Sequence, residues 1–452
     1  MIVLDTTIVN VALPSIKKDL GFTDVSLAWV VNAYMLTFGG FLLLSGRLGD
    51  LYGHRKLFLI GLVLFTIASL ACGLSPNQGF LVTARAIQGL SGAIVSAVSL
   101  SLMMALFTEP VERAKAMGIF GFVAAGGGSL GVLLGGVLTG ALNWHWIFLV
   151  NIPVGIVVTV MTVSLLPKAH QEPEHKQLDI AGAITITAAL MLAVYAIVNG
   201  NTLGWTSSRT LGLLGLSVVL HGLFLVIESR VRKPMVPLSI LRLRNVAVSN
   251  SIGILWSAAM FASFFLSALY MQMVLGFTPL KVGLAFLPSN LIMAIFSVGL
   301  SAKLVMRLGI KTTLSIGLSL AAVSLLLLAR VPVAGHFVMD IFPSMILLGI
   351  GAGMAFNPML LAAMNDVPQN EAGLASGLVN TSFMMGGALG LAILASIAAL
   401  RATHLIASGQ DQLSSLTSGY HVAFLAGAIS AALGSFLAAV FLRIQPMSKS
   451  KE

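Results

Sequence analysis

An all-α polytopic membrane fold is predicted by three observations. Hydrophobic residues fill 58% of the 452 positions and charged residues only 9%. The mean hydropathy is +1.00. Long apolar runs recur down the whole chain between short polar loops. A soluble domain carries about a quarter charged residues, so this composition excludes one. Helices are the spanning solution because each closes its own backbone hydrogen bonds, and the alternating short strands of a barrel are not seen. The net charge of +10 comes from Lys and Arg scattered through loops rather than clustered on one face, a pattern that does not fit nucleic acid. The single cysteine, Cys72, lies in an apolar run and reads as a small core residue, with no disulfide framework. No basic region precedes the first apolar run, which leads into further spans, so it does not read as a cleaved signal peptide.

In chain order the spans fall near residues 1–16, 27–46, 57–74, 80–106, 115–138, 145–166, 180–199, 209–228, 246–271, 282–302, 312–329, 338–363, 374–400 and 420–442, fourteen in all. An even count puts both termini on one side. With that side cytoplasmic, its loops carry eighteen Lys and Arg against six on the opposite face, and Arg85 remains inside a span. This bias predicts cytoplasmic termini and a multi-pass protein of the cell's inner membrane. The most polar internal stretch, "PKAHQEPEHKQLD" (167–179), and the basic segment "ESRVRKPMVPLSILRLRN" bracket two spans. The organisation expected is therefore a six-helix bundle over 1–166, a linker with two additional helices over 167–244, a second six-helix bundle over 245–443 and a cytoplasmic tail at 444–452. A weak repeat supports it: "GRLGDLYGHR" (46–55) aligns with "AKLVMRLGIK" (302–311), with glycine eighth in both. Six-plus-six repeats mark a major facilitator transporter, with its substrate site between the bundles near the midplane.

Six motifs occur in order along the chain: "LDTTIVNVALP" (4–14), "GRLGDLYGHRK" (46–56), "RAIQGLSGA" (85–93), "GVLLGG" (131–136), "WHWIFLVNIPVG" (144–155) and "GLASGLVNTSFMMGGALG" (373–390). Together they resemble the fourteen-helix drug:proton antiporter family of the major facilitator superfamily. That resemblance implies proton-driven export of amphipathic, often cationic compounds by alternating access, with no cofactor. It names no compound. Two positions depart from the family pattern: Val132 stands where proline is usual, which removes an expected kink, and His145 stands where arginine is common.

Asp5 is a carboxylate set in an apolar run, which is costly and marks a functional position. Twelve residues separate it from Lys17, about 18 Å of helix, which carries it past the middle of a ~30 Å hydrocarbon core from the external face. Burial there disfavours the charged form, so Asp5 is expected to load and release a proton; packing glue between helices is the alternative. Arg85 is expected to tune a nearby acid electrostatically, and its family counterpart is implicated in proton coupling; a buried structural ion pair is the alternative. Gln88, Gly89 and Gly92 follow it at helical spacings on one face. In the loop 46–56, Gly46, Gly49 and Gly53 are expected to permit a tight turn, while Asp50 with Arg47, Arg55 and Lys56 forms a charge cluster able to pair across the bundles. The resemblance makes Gly46, Asp50, Gly53 and Arg55 a conformational latch; a solvated loop that only sets orientation is the alternative.

Gly126, Gly128 and Gly131 match a dinucleotide pattern, but no strand precedes them and the segment is apolar. Gly127, Gly131, Gly135 and Gly136 instead predict close helix packing, which the resemblance makes a gate against proton leak. "GIGAG" (349–353) predicts close packing as well. Asn32, Tyr34, Gln88, Trp256, Asn290 and Asn357 are expected at an amphipathic substrate cavity, and His145 and Trp146 in an interfacial belt. There is no phosphate-binding loop, zinc-protease motif or nucleophile elbow, so no enzyme chemistry is expected, nor any metal site.

The function expected is proton-coupled export of drugs or other amphipathic compounds. An exporter of a native metabolite such as a siderophore or lipid is the alternative, and a membrane-embedded enzyme or sensor a distant one. The partners are protons, membrane lipids and, in a two-membrane cell, a periplasmic adaptor. A sixteen-residue first span gives only about 24 Å of helix, so the native chain is expected to begin roughly 8 to 15 residues upstream.

Overall fold

The computed structural model describes all residues except 24, 107–111, 113–126, 128–129, 167–178, 232–233, 235–238, 366, 368–371 and 445–452. Among the described residues the regular structure is helical: α1 (Ile2–Leu20), α2 (Trp29–Tyr52), α3 (His54–Gly73) and α4 (Gln78–Leu106) are followed by α5 (Leu130–Ala141), α6 (Trp146–Leu165), α7 (Ile180–Leu203) and α8 (Ser208–Arg230). Next come α9 (Arg244–Val274), α10 (Pro279–Ile295), α11 (Ile310–Leu328), α12 (Phe337–Met364), α13 (Ala372–Ala407) and α14 (Gln412–Phe441). Nine helices among the described residues are long and apolar enough to cross a membrane. A π-turn, Phe296–Leu300, joins α10 to a short continuation, Ser301–Leu308.

Local chemistry sets several boundaries. Where the apolar run alone ends at Ile16, α1 continues to Leu20 with Lys17 and Lys18 in its last turn, and Gly21 caps it at φ 71°, its N–H donating to the Lys17 carbonyl. Cations at a helix C-terminus complement the partial negative charge there. Asp179 and Ser207 cap α7 and α8 by accepting from the backbone N–H groups of Gly182 and Thr210.

The turn after α2 differs from the expectation. Helix α2 runs on through Gly46 and Gly49 to Tyr52, and Gly53 alone reverses the chain, at φ 87°. Gly49 serves packing instead: a Cβ on it would lie 3.1 Å from both the His54 ring and Val98 of α4. Gly309, the counterpart of Gly53 in the aligned stretch, is also left-handed at φ 83° and likewise begins the next helix. Only glycine holds that backbone region without a Cβ penalty, which explains why this position survives in both copies.

Helices α2, α3, α4 and α6 pack mainly on one another, and so do α9–α14. Helices α7 and α8 pair, and α7 lies against both α2 and α13, while α8 turns Leu211, Val218 and Val219 outward. The two groups meet where α2 packs on α13 and where α1 packs on α9 and α10. At the end of α9, Gln272 Nε2 donates to the Val11 carbonyl of α1 at 3.0 Å. Just before α6, Trp144 Nε1 donates to Asp19 Oδ2 of α1 at 2.8 Å, and the His145 ring stacks on Trp144 with centroids 3.8 Å apart. Burial lowers the His145 pKa against the opposing pull of the Asp19 charge. Trp146 is exposed.

Glycines decide how closely these helices approach. Cβ atoms on Gly131 and Gly135 would fall 2.7 Å from the Leu4 carbonyl oxygen and 2.6 Å from that of Ile8, so α5 rests directly on the α1 backbone. Gly127 lies one turn earlier beside Val3, and Gly136 faces the other way, its Cβ position 2.9 Å from the Pro279 carbonyl of α10. Small residues four apart permit this approach, and dispersion between backbones holds it. Gly349 and Gly353 of α12 meet the carbonyls of Ser289 and Met293 on α10 in the same way, and Gly351 meets that of Gly317 on α11.

A branched side chain at the α1–α5 contact has nowhere to go. Gly135→Val is expected to destabilise the protein by about 1–3 kcal/mol through overpacking, lowering the thermal midpoint in detergent. Gly212→Ala on α8, where a Cβ meets nothing within 4 Å, is the control and should not lower the midpoint, since alanine also favours the helix.

Candidate functional site

Four helices bring one polar cluster together inside apolar protein. Asp5 on α1 and Arg85 on α4 are 0% and 1% exposed, and Arg85 Nη1 donates to Asp5 Oδ2 at 2.6 Å. The other carboxylate oxygen, Oδ1, accepts from Gln88 Nε2 and from Asn151 Nδ2, each at 2.9 Å. Gln88 is one helical turn beyond Arg85, so both side chains leave α4 on the same face. Its Nε2 also donates to Ser69 Oγ of α3 at 2.8 Å, and its Oε1 accepts from Arg85 Nη1 at 2.6 Å. Asn151 enters from α6.

The guanidinium is held on its other sides too. Arg85 Nε donates to the Val30 carbonyl of α2 at 2.9 Å, and its Cζ lies 4.4 Å from the Tyr34 ring centroid and 5.6 Å from that of Phe148. A desolvated cation over aromatic faces gains about 2 kcal/mol or more. Glycines again supply the approach: a Cβ on Gly89 would lie 2.9 Å from the Tyr34 carbonyl carbon, and one on Gly92 3.0 Å from the Tyr34 hydroxyl. The buried Cys72 thiol sits 3.6 Å from Gln88 Oε1 at the cluster's edge.

The pair is self-balanced. Ionised Asp5 and Arg85 sum to zero, and each polar contact just named satisfies a group that water cannot reach. Helices α1, α2, α4 and α6 each contribute a group to this cluster, so a change in it bears on all four.

Other residues expected at sites fall elsewhere. Gln88 belongs to the carboxylate cluster rather than to a cavity, and Tyr34 turns toward Arg85. Trp256 shares a stripe of α9 with Ile252 and Ala259, which face Gly434 and Gly427 of α14. Asn357 donates to the Ser297 carbonyl in the π-turn after α10 at 2.9 Å. Asn32 and Asn290 are buried with no partner at Nδ2. Gly46 lies within α2, and Arg55 Nη2 donates to the Val163 carbonyl near the end of α6 at 2.9 Å, within the first helix group rather than across to the second. The side chains of Arg47 and Asp50, and Gly126 and Gly128, lie outside the described residues. Asn151 and Ser69 were not singled out by the sequence: each is one polar residue in an apolar span, and only the three-dimensional convergence on Asp5 and Gln88 distinguishes them. Among the described residues no cluster of metal-ligating side chains occurs.

The energetic weight of the pair is measurable by a double-mutant cycle. Arg85→Met alone leaves a buried carboxylate without its counter-charge and is expected to cost about 3–5 kcal/mol, seen as a large fall in thermal midpoint. Adding Asp5→Asn removes the stranded charge and should recover most of that loss, because two neutral partners need no counter-charge.

Comparison with known proteins places this geometry. The family model described as Major Facilitator Superfamily matches residues 1–391. Puromycin resistance protein pur8 of Streptomyces alboniger is 37% identical over 399 residues, covering 88% of this chain and 79% of that protein. Cephamycin export protein CmcT of Amycolatopsis lactamdurans is 34% identical over 399 residues, covering 88% and 82%. The crystal structure of the nucleoside transporter NupG shares the fold, with a TM-score of 0.65 at 12% identity over 98% of both chains. With a family model spanning most of its length and relatives of 37% and 34% identity matched over 88% of it, this chain belongs to the Major Facilitator Superfamily of membrane transporters.

Proposed function

We propose that this transporter is a proton-coupled exporter of drugs or other amphipathic compounds, and that Asp5 carries the proton. The single observation behind the coupling is the fully buried Asp5–Arg85 pair, a charge-balanced group that a proton disrupts. The direction and the class of cargo rest on relatives whose names state antibiotic resistance and export.

In this reading the chain crosses the inner membrane fourteen times with both termini cytoplasmic, as a bundle over 1–166, a two-helix linker over 167–244 and a bundle over 245–443. The bundles rock about the surfaces where α1 meets α9 and α10, α2 meets α13, and α5 meets α10. Contacts such as Gln272 with Val11 and Gly136 with Pro279 then form and break in each cycle. The glycines of α5 act as a gate by holding it on α1 and α10 without side chains that would wedge the path open. The loop with Gly46, Asp50, Gly53 and Arg55 latches the cytoplasmic face. The proton gradient supplies the energy, and no cofactor is required.

The coupling follows from the site's electrostatics. With Asp5 ionised, the cluster closes on itself. A proton arriving from outside frees Arg85 from the carboxylate and loosens α4 and α2 from α1, and its release to the cytoplasm restores the pair. Binding energy from the cargo is what makes the two steps alternate, since only differential affinity shifts a conformational equilibrium.

In lumen-acid proteoliposomes, cargo addition should dissipate the pH gradient, and Asp5→Asn should abolish this response while leaving cargo binding measurable. An Asp5→Asn protein that still concentrates cargo against the gradient at the wild-type rate would overturn the role of Asp5.

A further inference from the structure

We infer that the end of the molecule where α9 starts and α14 finishes holds an anionic phospholipid, its phosphate on Arg244 and Arg443 and its acyl chains along the outer face of α14. This site is separate from the Asp5 cluster and does not depend on the transport cycle proposed above.

Two arginines are brought together there by hydrogen bonds. Asn245, next to Arg244, is buried and clasps the Arg443 backbone: its Nδ2 donates to the Arg443 carbonyl at 2.8 Å and its Oδ1 accepts from the Arg443 N–H at 3.0 Å. Arg244 Nε donates to the Phe441 carbonyl at 2.7 Å, with Cζ 5.8 Å from the centroid of the Phe441 ring. The bond satisfies one of the last carbonyls of α14 and fixes the guanidinium, and only Nε is spent on it. Cations in loops also set orientation in the membrane, but that role needs no fixed geometry.

The charge there is one-sided. Arg244 and Arg443 are exposed, and among the described residues neither has a carboxylate partner. Arg242, exposed in the turn before α9, adds a third cation. No Asp or Glu occurs from 229 to 339 or from 412 to 451. Val246 is two residues beyond Arg244 and so on the other side of α9, where it packs in a cluster that Phe224 of α8 joins; buried Glu228 is one turn from Phe224 and belongs to that side. The first turn of α9 has no side-chain cap and adds positive potential of its own. A phosphate answers both arginines at once, since its oxygens suit the planar guanidinium fork.

A lane for acyl chains leads up to these cations. Ile429, Leu433, Phe436 and Val440 recur at helical spacing on α14 and are all exposed. At its end the Phe436 and Phe441 rings meet edge-on with centroids 6.3 Å apart, and Phe441 is the ring that Arg244 covers. Helix α14 has 30 residues, about 45 Å, which matches a bilayer with its headgroup layers and puts Arg443 at headgroup level. Apolar lane and arginine pair are thus continuous, the shape of a phospholipid rather than of a free anion.

Native mass spectrometry of the full chain, stripped of lipid in detergent, tests this with phosphatidylglycerol, phosphatidylcholine and inorganic phosphate as probes. Phosphatidylglycerol should bind at least about tenfold more tightly than phosphatidylcholine, and Arg244→Gln and Arg443→Gln should each weaken it about fivefold while leaving phosphatidylcholine unchanged. Arg443→Gln keeps the backbone clasp by Asn245, so its loss reads the charge and not the fold. Replacing Lys303 and Arg307, two exposed cations on the continuation of α10, by glutamine should leave phosphatidylglycerol binding as it was. Equal binding of the two lipids by the wild type would overturn the inference. So would an equal loss from the Lys303 and Arg307 replacements, which marks diffuse attraction, or displacement of the lipid by inorganic phosphate, which marks a site for a free anion.

Discussion

The ion pair between Asp5 and Arg85 is the constraint to which the first helix group is built. Two opposite charges in a dry interior repay their desolvation only if the geometry is close and every remaining donor is filled. Those requirements account for features that look unrelated along the chain. Gln88 must follow Arg85 by one turn so that one amide serves both ions. Asn151 must approach from α6 to complete the carboxylate, and the Val30 carbonyl must lie open to Nε. Gly89 and Gly92 must lack side chains so that Tyr34 can sit over the guanidinium. Each is a consequence of placing a charge where water does not reach.

Helix α1 carries that constraint to the rest of the molecule. Its Asp5 face binds α4 and α6, while the Leu4 and Ile8 carbonyls lie against Gly131 and Gly135 of α5, and Val11 accepts from Gln272 at the end of α9. A helix gripped on three sides cannot shift at one without moving at the others, because close-packed interfaces have few intermediate arrangements. This contiguity links the Asp5 cluster to the surface between the helix groups. Coupling by such a route requires two discrete packings that both ligands bias, and the directly apposed backbones of α1 and α5 suit a sliding change of that kind.

Much of this was legible in the sequence because charge in an apolar run is conspicuous. Asp5 and Arg85 stand out by the cost of their placement, and the glycines of α5 by their spacing. The faint repeat also has a structural counterpart, since Gly53 and Gly309 share a left-handed backbone that no other residue holds easily. What the sequence obscured was pairing between helices. Periodicity tells which residues share a face of one helix, not which neighbour that face meets, so Tyr34, Trp256 and Gln88 read equally well as cavity residues. Asn151 and Ser69 were not singled out, since a polar residue in an apolar span carries no mark of a partner on another helix. The continuation of α2 through Gly46 and Gly49 was missed because glycine is read first as a breaker, whereas in a membrane helix it is as often a place for a neighbour.

The repeat also separates geometry from chemistry. Both helix groups keep the glycine turn, and both use small residues to bring backbones together, as Gly131 and Gly135 do in one and Gly349 and Gly353 in the other. Yet α12, which occupies in its group the place of α4, has no Lys, Arg or Glu between Phe342 and Met364, and no Asp either. Among the described residues the buried ion pair lies in the first helix group, while unpartnered polar atoms occur in both, at Asn32 in the first and at Asn290 and Thr381 in the second. Such a division has a physical advantage. A proton site needs a fixed, fully satisfied set of partners, whereas a site for varied guests needs loose contacts and spare hydrogen-bonding capacity, and one set of side chains cannot meet both demands. In the proposed transport cycle, matching backbones with unlike linings let the two groups move as counterparts while proton and cargo meet different chemistry.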